Sequence, residues 1–140
     1  MSQIILAALD DSDLSDYVVK AIHQLKLQAE DRVVLVRVIP ASELDPERPA
    51  DKPSLDPQLG IYRHSEQKLQ SYQVPLTCQT ELEIVTGDPA EEIVRLANIH
   101  KASLIVIGNR GLTGVDRILQ GSVSSQVVTD AHCSVMVVKP

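Results

Sequence analysis

The sequence predicts an α/β fold of the Rossmann-like kind, an open parallel sheet with helices on both faces. Two observations carry that expectation. Four short segments, Gln3–Leu9, Arg32–Ile39, Leu104–Gly108 and Val135–Lys139, are dense in β-branched and aliphatic residues, as strands covered on both faces must be. Stretches with helical periodicity lie between them, and a strand followed by a helix returns the next strand parallel to the first. A fifth segment, Cys78–Val85, alternates more and belongs nearer a sheet edge.

The elements follow in order. After the first strand, Leu14, Val18, Ala21, Ile22 and Leu25 share one helical face, and Ser12 or Asp13 caps its start. The stretch from Pro40 to Pro57 holds five of the eight prolines and a run of acidic residues, so it reads as a solvated loop acting as a flexible flap. A helix is expected from about Pro57 to Gln73. The clearest helix start is Asp88-Pro89-Ala90-Glu91: Asp88 caps, Pro89 suits the first turn and Glu91 completes a capping box. Its apolar face is Ala90, Ile93, Val94 and Ala97, and a last helix runs from Ser122 to about Asp130.

Composition bounds the function. A chain of 140 residues, 44% hydrophobic, supports one core, so residues 1–140 are expected to form one domain. With 13 basic against 19 acidic residues the formal charge is -6, which argues against nucleic acid and anionic membranes as partners. Cys78 and Cys133 lack metal-ligand spacing and read as buried or idle thiols. The apolar run at Ile4 has no basic segment before it, and charges follow at Asp10 and Asp11, so neither a signal peptide nor a membrane span is expected and the cytoplasm is the default address. There is no Trp or Phe, and Tyr is found only at positions 17, 62 and 72, so a planar ligand must be gripped by aliphatic side chains. That argues against stacking platforms for single-stranded nucleic acid and against a flavin held between rings.

In an open parallel sheet, ligands bind outside the carboxyl ends of the strands. Four of the six glycines fall between positions 108 and 121, spaced as Gly108-x2-Gly111-x9-Gly121-Ser122 from a strand end to a helix start. Glycines let backbone approach an anion and turn with positive φ, and amides opening a helix donate to phosphate oxygens, as does the Ser122 hydroxyl. The pattern is neither a Walker A loop nor the Gly-x-Gly-x-x-Gly fingerprint, and it lacks the usual phosphate-binding lysine. Arg110 and Arg117 are the nearest cations able to take that role. Asp10, at the end of the first strand, is placed to accept from a ribose hydroxyl or to hold Mg2+ beside phosphates, whereas Asp11 and Asp13 read as capping residues. Asp11-Ser12-Asp13 distantly resembles the Asp-x-Asp nucleophile motif of haloacid dehalogenase-type phosphatases, but the fourth strand ends in Gly-Asn-Arg-Gly, without the later acidic ligands which that chemistry needs. His23, His64, His100 and His132 are scattered and read as surface residues, so no catalytic residue is assigned.

The Ala8-Leu9-Asp10-x-Ser12 turn, the Gly108-x2-Gly111-x9-Gly121-Ser122 motif and the closing Val135–Lys139 strand together resemble the universal stress protein family, in its ATP-binding branch. The resemblance implies a five-stranded sheet in strand order 3-2-1-4-5, flanked by four helices, and a homodimer formed by the last strands. It implies an adenine pocket at Ala8, Asp10, backbone groups of Val38, and Ile107, with the ribose near Asp10 and Gly108. It implies phosphates held by Gly111, Gly121, Ser122, Val123 and Ser124. Ala8 stands where some ATP-bound members have proline, Ser134 where a proline often precedes the last strand, and Pro40–Pro57 is unusually rich in proline. The function expected is an adenine-nucleotide-binding stress or signalling switch, with ATP, AMP or ADP as ligand and Mg2+ beside the phosphates, read by a protein partner that the sequence does not identify. Hydrolysis is expected to be slow at most. The alternatives are a dimeric interaction module with an empty site and a small phosphatase.

Overall fold

The computed structural model describes residues 2–10, 12–41, 57–109 and 122–140. Strands and helices alternate in the order β1 (Ile4–Leu9), α1 (Leu14–Gln24), β2 (Arg32–Ile39), α2 (Pro57–Gln73), β3 (Gln79–Thr86), α3 (Pro89–His100), β4 (Leu104–Gly108), α4 (Ser122–Asp130) and β5 (Ser134–Val138). The strands form one sheet in the order β3-β2-β1-β4-β5. Every neighbouring pair is parallel, with Ala8 level with Val36 on one side and Ile107 on the other.

Three strands differ from the sequence expectation by one residue at one or both ends. The first strand begins at Ile4, the third runs Gln79–Thr86 and the last runs Ser134–Val138. The last differs because pairing with β4 sets its limits: Ser134 is level with Leu104 and Val138 with Gly108.

Alternation along the strands divides the core in two. Leu6, Val34, Val36, Val38, Ile105 and Ile107 face α3 and α4, packing on Ala90, Ile93, Leu96, Ala97 and Val127. Ile5, Ala7, Leu9, Val33, Leu35 and Val106 face the other way, onto Val18, Val19 and Ile22 of α1 and Leu69 of α2. The buried face of α1 therefore takes in Ser15 and Val19, while Ala21 is half-buried.

Asp88 caps α3 as expected, its carboxylate accepting from the Glu91 amide at 3.0 Å with Pro89 beginning the helix. In α1 the Asp13 side chain makes no capping bond, and the Ser12 hydroxyl accepts from the Leu14 amide at 3.3 Å instead. Asp31 ties the sheet entrance together: its carboxylate accepts from the amides of Gln3 and Gln28, each at 2.8 Å. Those bonds, Gln3 first, hold its carboxyl below the usual range. Cys78 and Cys133 are free thiols, and burial pushes both up.

One histidine departs from the surface reading. His100, at the end of α3, has a side chain only 12% exposed because β3 turns two carboxylates toward it, with Nδ1 3.6 Å from Glu81 Oε2 and Nε2 3.4 Å from Glu83 Oε1. His23, His64 and His132 are exposed. Among the described residues, no helix is long and apolar enough to cross a membrane.

Candidate functional site

The carboxyl ends of β1, β2 and β4 open into a cavity of about 270 Å³. Its wall is built from strand register. Ala8, Val36 and Ile107 lie side by side across three strands, and with Val38 they form an apolar floor on the α3 side. Pro89 and Ile93 of α3 and Val123 of α4 complete that wall. No aromatic ring takes part among the described residues, so a flat apolar ligand would be held between aliphatic side chains.

The opposite side of the cavity mixes polar and apolar groups. Asp10, where the chain leaves β1, and Ser15, in the first turn of α1, face it together with Leu9, Leu14 and Val18. Three helices begin at its rim, since Leu14, Pro89, Val123 and Ser124 all line it from first turns. The first amides of a helix lack intrahelical acceptors and carry the positive end of its dipole, which favours an anion there.

Asp10 is held by its own loop. Its Oδ1 accepts from the Ser12 amide at 2.8 Å and from the Ser12 hydroxyl. Ser15 is 2% exposed, and its hydroxyl oxygen accepts from the Asp10 amide at 2.8 Å and lies 2.9 Å from the Asp10 carbonyl oxygen.

Seven residues singled out in the sequence, Ala8, Asp10, Val38, Ile107, Gly108, Val123 and Ser124, line this one cavity. Ser122 begins α4. Arg110, Gly111, Arg117 and Gly121 lie outside the described residues, as does the expected flap from position 42 to 56. Gly108 differs from expectation in its reason. Glycine is needed there because Leu14 packs against it, a Cβ at that point meeting Leu14 Cγ at 2.4 Å, and Gly108 is not among the glycines with positive φ.

The sequence reading missed several lining residues. Arg37 is 5% exposed, lines the cavity, and donates from Nη1 to the Val38 carbonyl at 2.7 Å. A single cation inside the apolar run Val33–Ile39 is the signal that marks it, because a strand buried on both faces rarely carries a charge without a use for it. Ser15, Pro89 and Ile93 join through helix placement, which no local pattern announces. Among the described residues, no group of three or more His, Cys, Asp or Glu side chains could hold a metal ion.

Comparison with known proteins agrees with this architecture. The protein MJ0577 of Methanocaldococcus jannaschii superposes with a TM-score of 0.83 at 26% identity, over 100% of this chain and 97% of that one. Two more distant universal stress proteins share the fold: one in complex with cAMP (TM-score 0.70, 23% identity, 99% of this chain and 97% of that one) and one from Archaeoglobus fulgidus in complex with dAMP (0.65, 19%, 99% and 98%). Among curated relatives, the universal stress protein MJ0531 of M. jannaschii is 54% identical over 57 residues, which make up 41% of this chain and only 34% of that protein. The model of the universal stress protein family matches residues 1–139, and the chain belongs to that family.

Proposed function

We propose that this protein binds an adenine nucleotide, ATP foremost, in the cavity at the strand ends, and that occupancy switches what a partner protein recognises. The observation that carries the reading is the junction of two environments in one cavity: an apolar slot of Ala8, Val36, Val38 and Ile107 runs to a rim where Asp10 and the first turn of α4 stand. The slot suits the base, with the Val38 backbone at its edge, and Asp10 and Gly108 border the sugar. In this reading the phosphates lie on Gly111, Gly121, Ser122, Val123 and Ser124, with Arg110 beside them. The cAMP and dAMP complexes of distant family members support an adenine ligand.

The donor set fits magnesium modestly. Mg2+ keeps several waters and takes one or two carboxylates plus phosphate oxygens. Asp10 would be its protein ligand, and the ion would neutralise phosphate charge. Oδ1 of Asp10 accepts from the Ser12 amide and hydroxyl. The motif lacks the lysine and catalytic carboxylate of fast ATPases, so we assign binding and not turnover. The place of β5 at the edge of the sheet among the described residues, with Val137 36% exposed, supports a homodimer through Val135–Lys139, and we read the protein as acting in the cytoplasm.

Mass analysis of small molecules released on denaturing the purified protein tests the reading, with an adenine nucleotide expected. Gly121→Val, which puts a side chain where the motif assigns phosphate, should weaken ATP at least about tenfold while sparing adenosine. Release of no nucleotide, together with no calorimetric response to Mg·ATP at millimolar concentration, would favour an interaction module instead.

A further inference from the structure

His100, the last residue of α3, stands against the edge strand β3 at some distance in sequence from every residue of the cavity. Each of its ring nitrogens confronts a different carboxylate, Nδ1 lying 3.6 Å from Glu81 Oε2 and Nε2 lying 3.4 Å from Glu83 Oε1. Nε2 is buried and makes no hydrogen bond as the side chains stand. Glu81 and Glu83 are two apart on one strand, so both project from the same face of the sheet.

The protons on the ring decide whether this arrangement is favourable. A neutral imidazole has one N–H and one bare lone pair, so in either tautomer one nitrogen meets a carboxylate oxygen lone pair to lone pair. The imidazolium turns an N–H to both carboxylates and sets a positive charge between two negative ones. Burying that charge costs free energy, and two carboxylates within 4 Å offset the cost.

The charged groups around the ring are few. Glu81 and Glu83 come from β3, and Arg32 comes from β2, its guanidinium 3.9 Å from the same Glu81 oxygen that the histidine faces. On α3, Arg95 is paired with Glu92 at 2.6 Å, and the exposed Lys101 follows the helix. Among the described residues, neither α4 nor β1 brings a carboxylate within 4 Å of the ring, and no cation other than His100 pairs with Glu83. Arg32 relieves Glu81, whereas Glu83 depends on the histidine.

We propose that His100 is a proton-operated clasp: with its second proton the ring bridges Glu81 and Glu83 and ties the end of α3 to the edge strand β3, and when that proton leaves the tie is lost. Only the folded chain brings both carboxylates to the ring, so it holds the proton more tightly than the unfolded chain does. The contribution of the clasp is therefore complete on the acid side and fades as pH rises. Histidine is the side chain that ordinarily changes charge between about pH 5 and 8, which sets the window in which the clasp works. It does not depend on what the cavity binds.

The experiment is urea denaturation of the full chain at about pH 5.5 and about pH 8 for wild type, His100→Gln and Glu83→Gln. The ratio of the wild-type folding constant to that of His100→Gln should be at least about threefold larger at the lower pH, the worth of a partly exposed ion pair. Glu83→Gln should show a gap to wild type that widens in the same direction. His23, His64 and His132 are exposed and present in all three proteins, so their own titration cancels. A gap of the same size at both pH values would make His100 a packing residue, and a gap wider at the higher pH would make the neutral ring the favoured form; either overturns the proposal. If His100→Gln does not fold, Glu83→Gln carries the comparison alone, because that side chain is 31% exposed and the change removes its charge at nearly constant volume. A Glu83→Gln protein with the pH dependence of wild type overturns the clasp.

Discussion

Gly108 and Leu14 are packed so closely that a Cβ on the glycine would stand 2.4 Å from Leu14 Cγ and 2.6 Å from its Cδ2. The end of β4 and the start of α1 thus share one contact, and both residues line the cavity. Gly108→Ala must displace Leu14, so it should destabilise the fold by about 1–3 kcal/mol in chemical denaturation, as overpacking of a close-fitted site does. Nucleotide affinity should fall with it. An unchanged denaturation midpoint would show that Leu14 moves aside freely.

Stability should respond to pH at both ends. Asp31 has a carboxyl lowered by the Gln3 and Gln28 amides, so its contribution is complete above the unfolded value of about 3.9 and is lost as pH falls through the folded one. Asp31→Asn should therefore be less stable than wild type at neutral pH, with the gap narrowing below about pH 4. The phenol of Tyr72 is pushed up, by burial first and then by its 2.8 Å bond to Asp16. Its contribution is present below about pH 10 and fades as pH rises further, so Tyr72→Phe should flatten the alkaline limb of a thermal-melt profile. Parallel profiles for wild type and variant would remove the corresponding assignment.

Gly60, inside α2, is exposed, and a Cβ added there would meet nothing within 4 Å. Gly60→Ala should raise stability by roughly 0.5–1 kcal/mol, because alanine costs the helix less backbone entropy. A lower melting temperature would mean that the start of α2 is needed in a conformation alanine resists.

Much of this was legible in the sequence for identifiable reasons. Buried parallel strands must be apolar throughout, so β2 and β4 stand out at their full lengths, and Pro57 and Asp88-Pro89 mark helix starts by backbone rules. What the sequence hid depends on distance in space. Ser15 reads as one more polar residue near a helix start until its hydroxyl is seen on Asp10. His100 reads as a surface histidine until the register of β3 brings Glu81 and Glu83 to it, although two carboxylates alternating on one strand face were a sign that a cation or histidine covers them. The Gly108 motif was recognisable, but its reason was not, because the residue that requires the glycine lies 94 positions earlier, at Leu14 (108 less 14).

The most direct test is an amide chemical-shift titration of the labelled protein with Mg·ATP. Binding in the cavity predicts that the largest changes fall on Ala8, Asp10, Val38, Ile107, Gly108 and Ser124, with little change at the opposite end of the sheet near Asp31 and Ser103. No change at millimolar nucleotide, or changes centred away from those strand ends, would contradict a nucleotide site there.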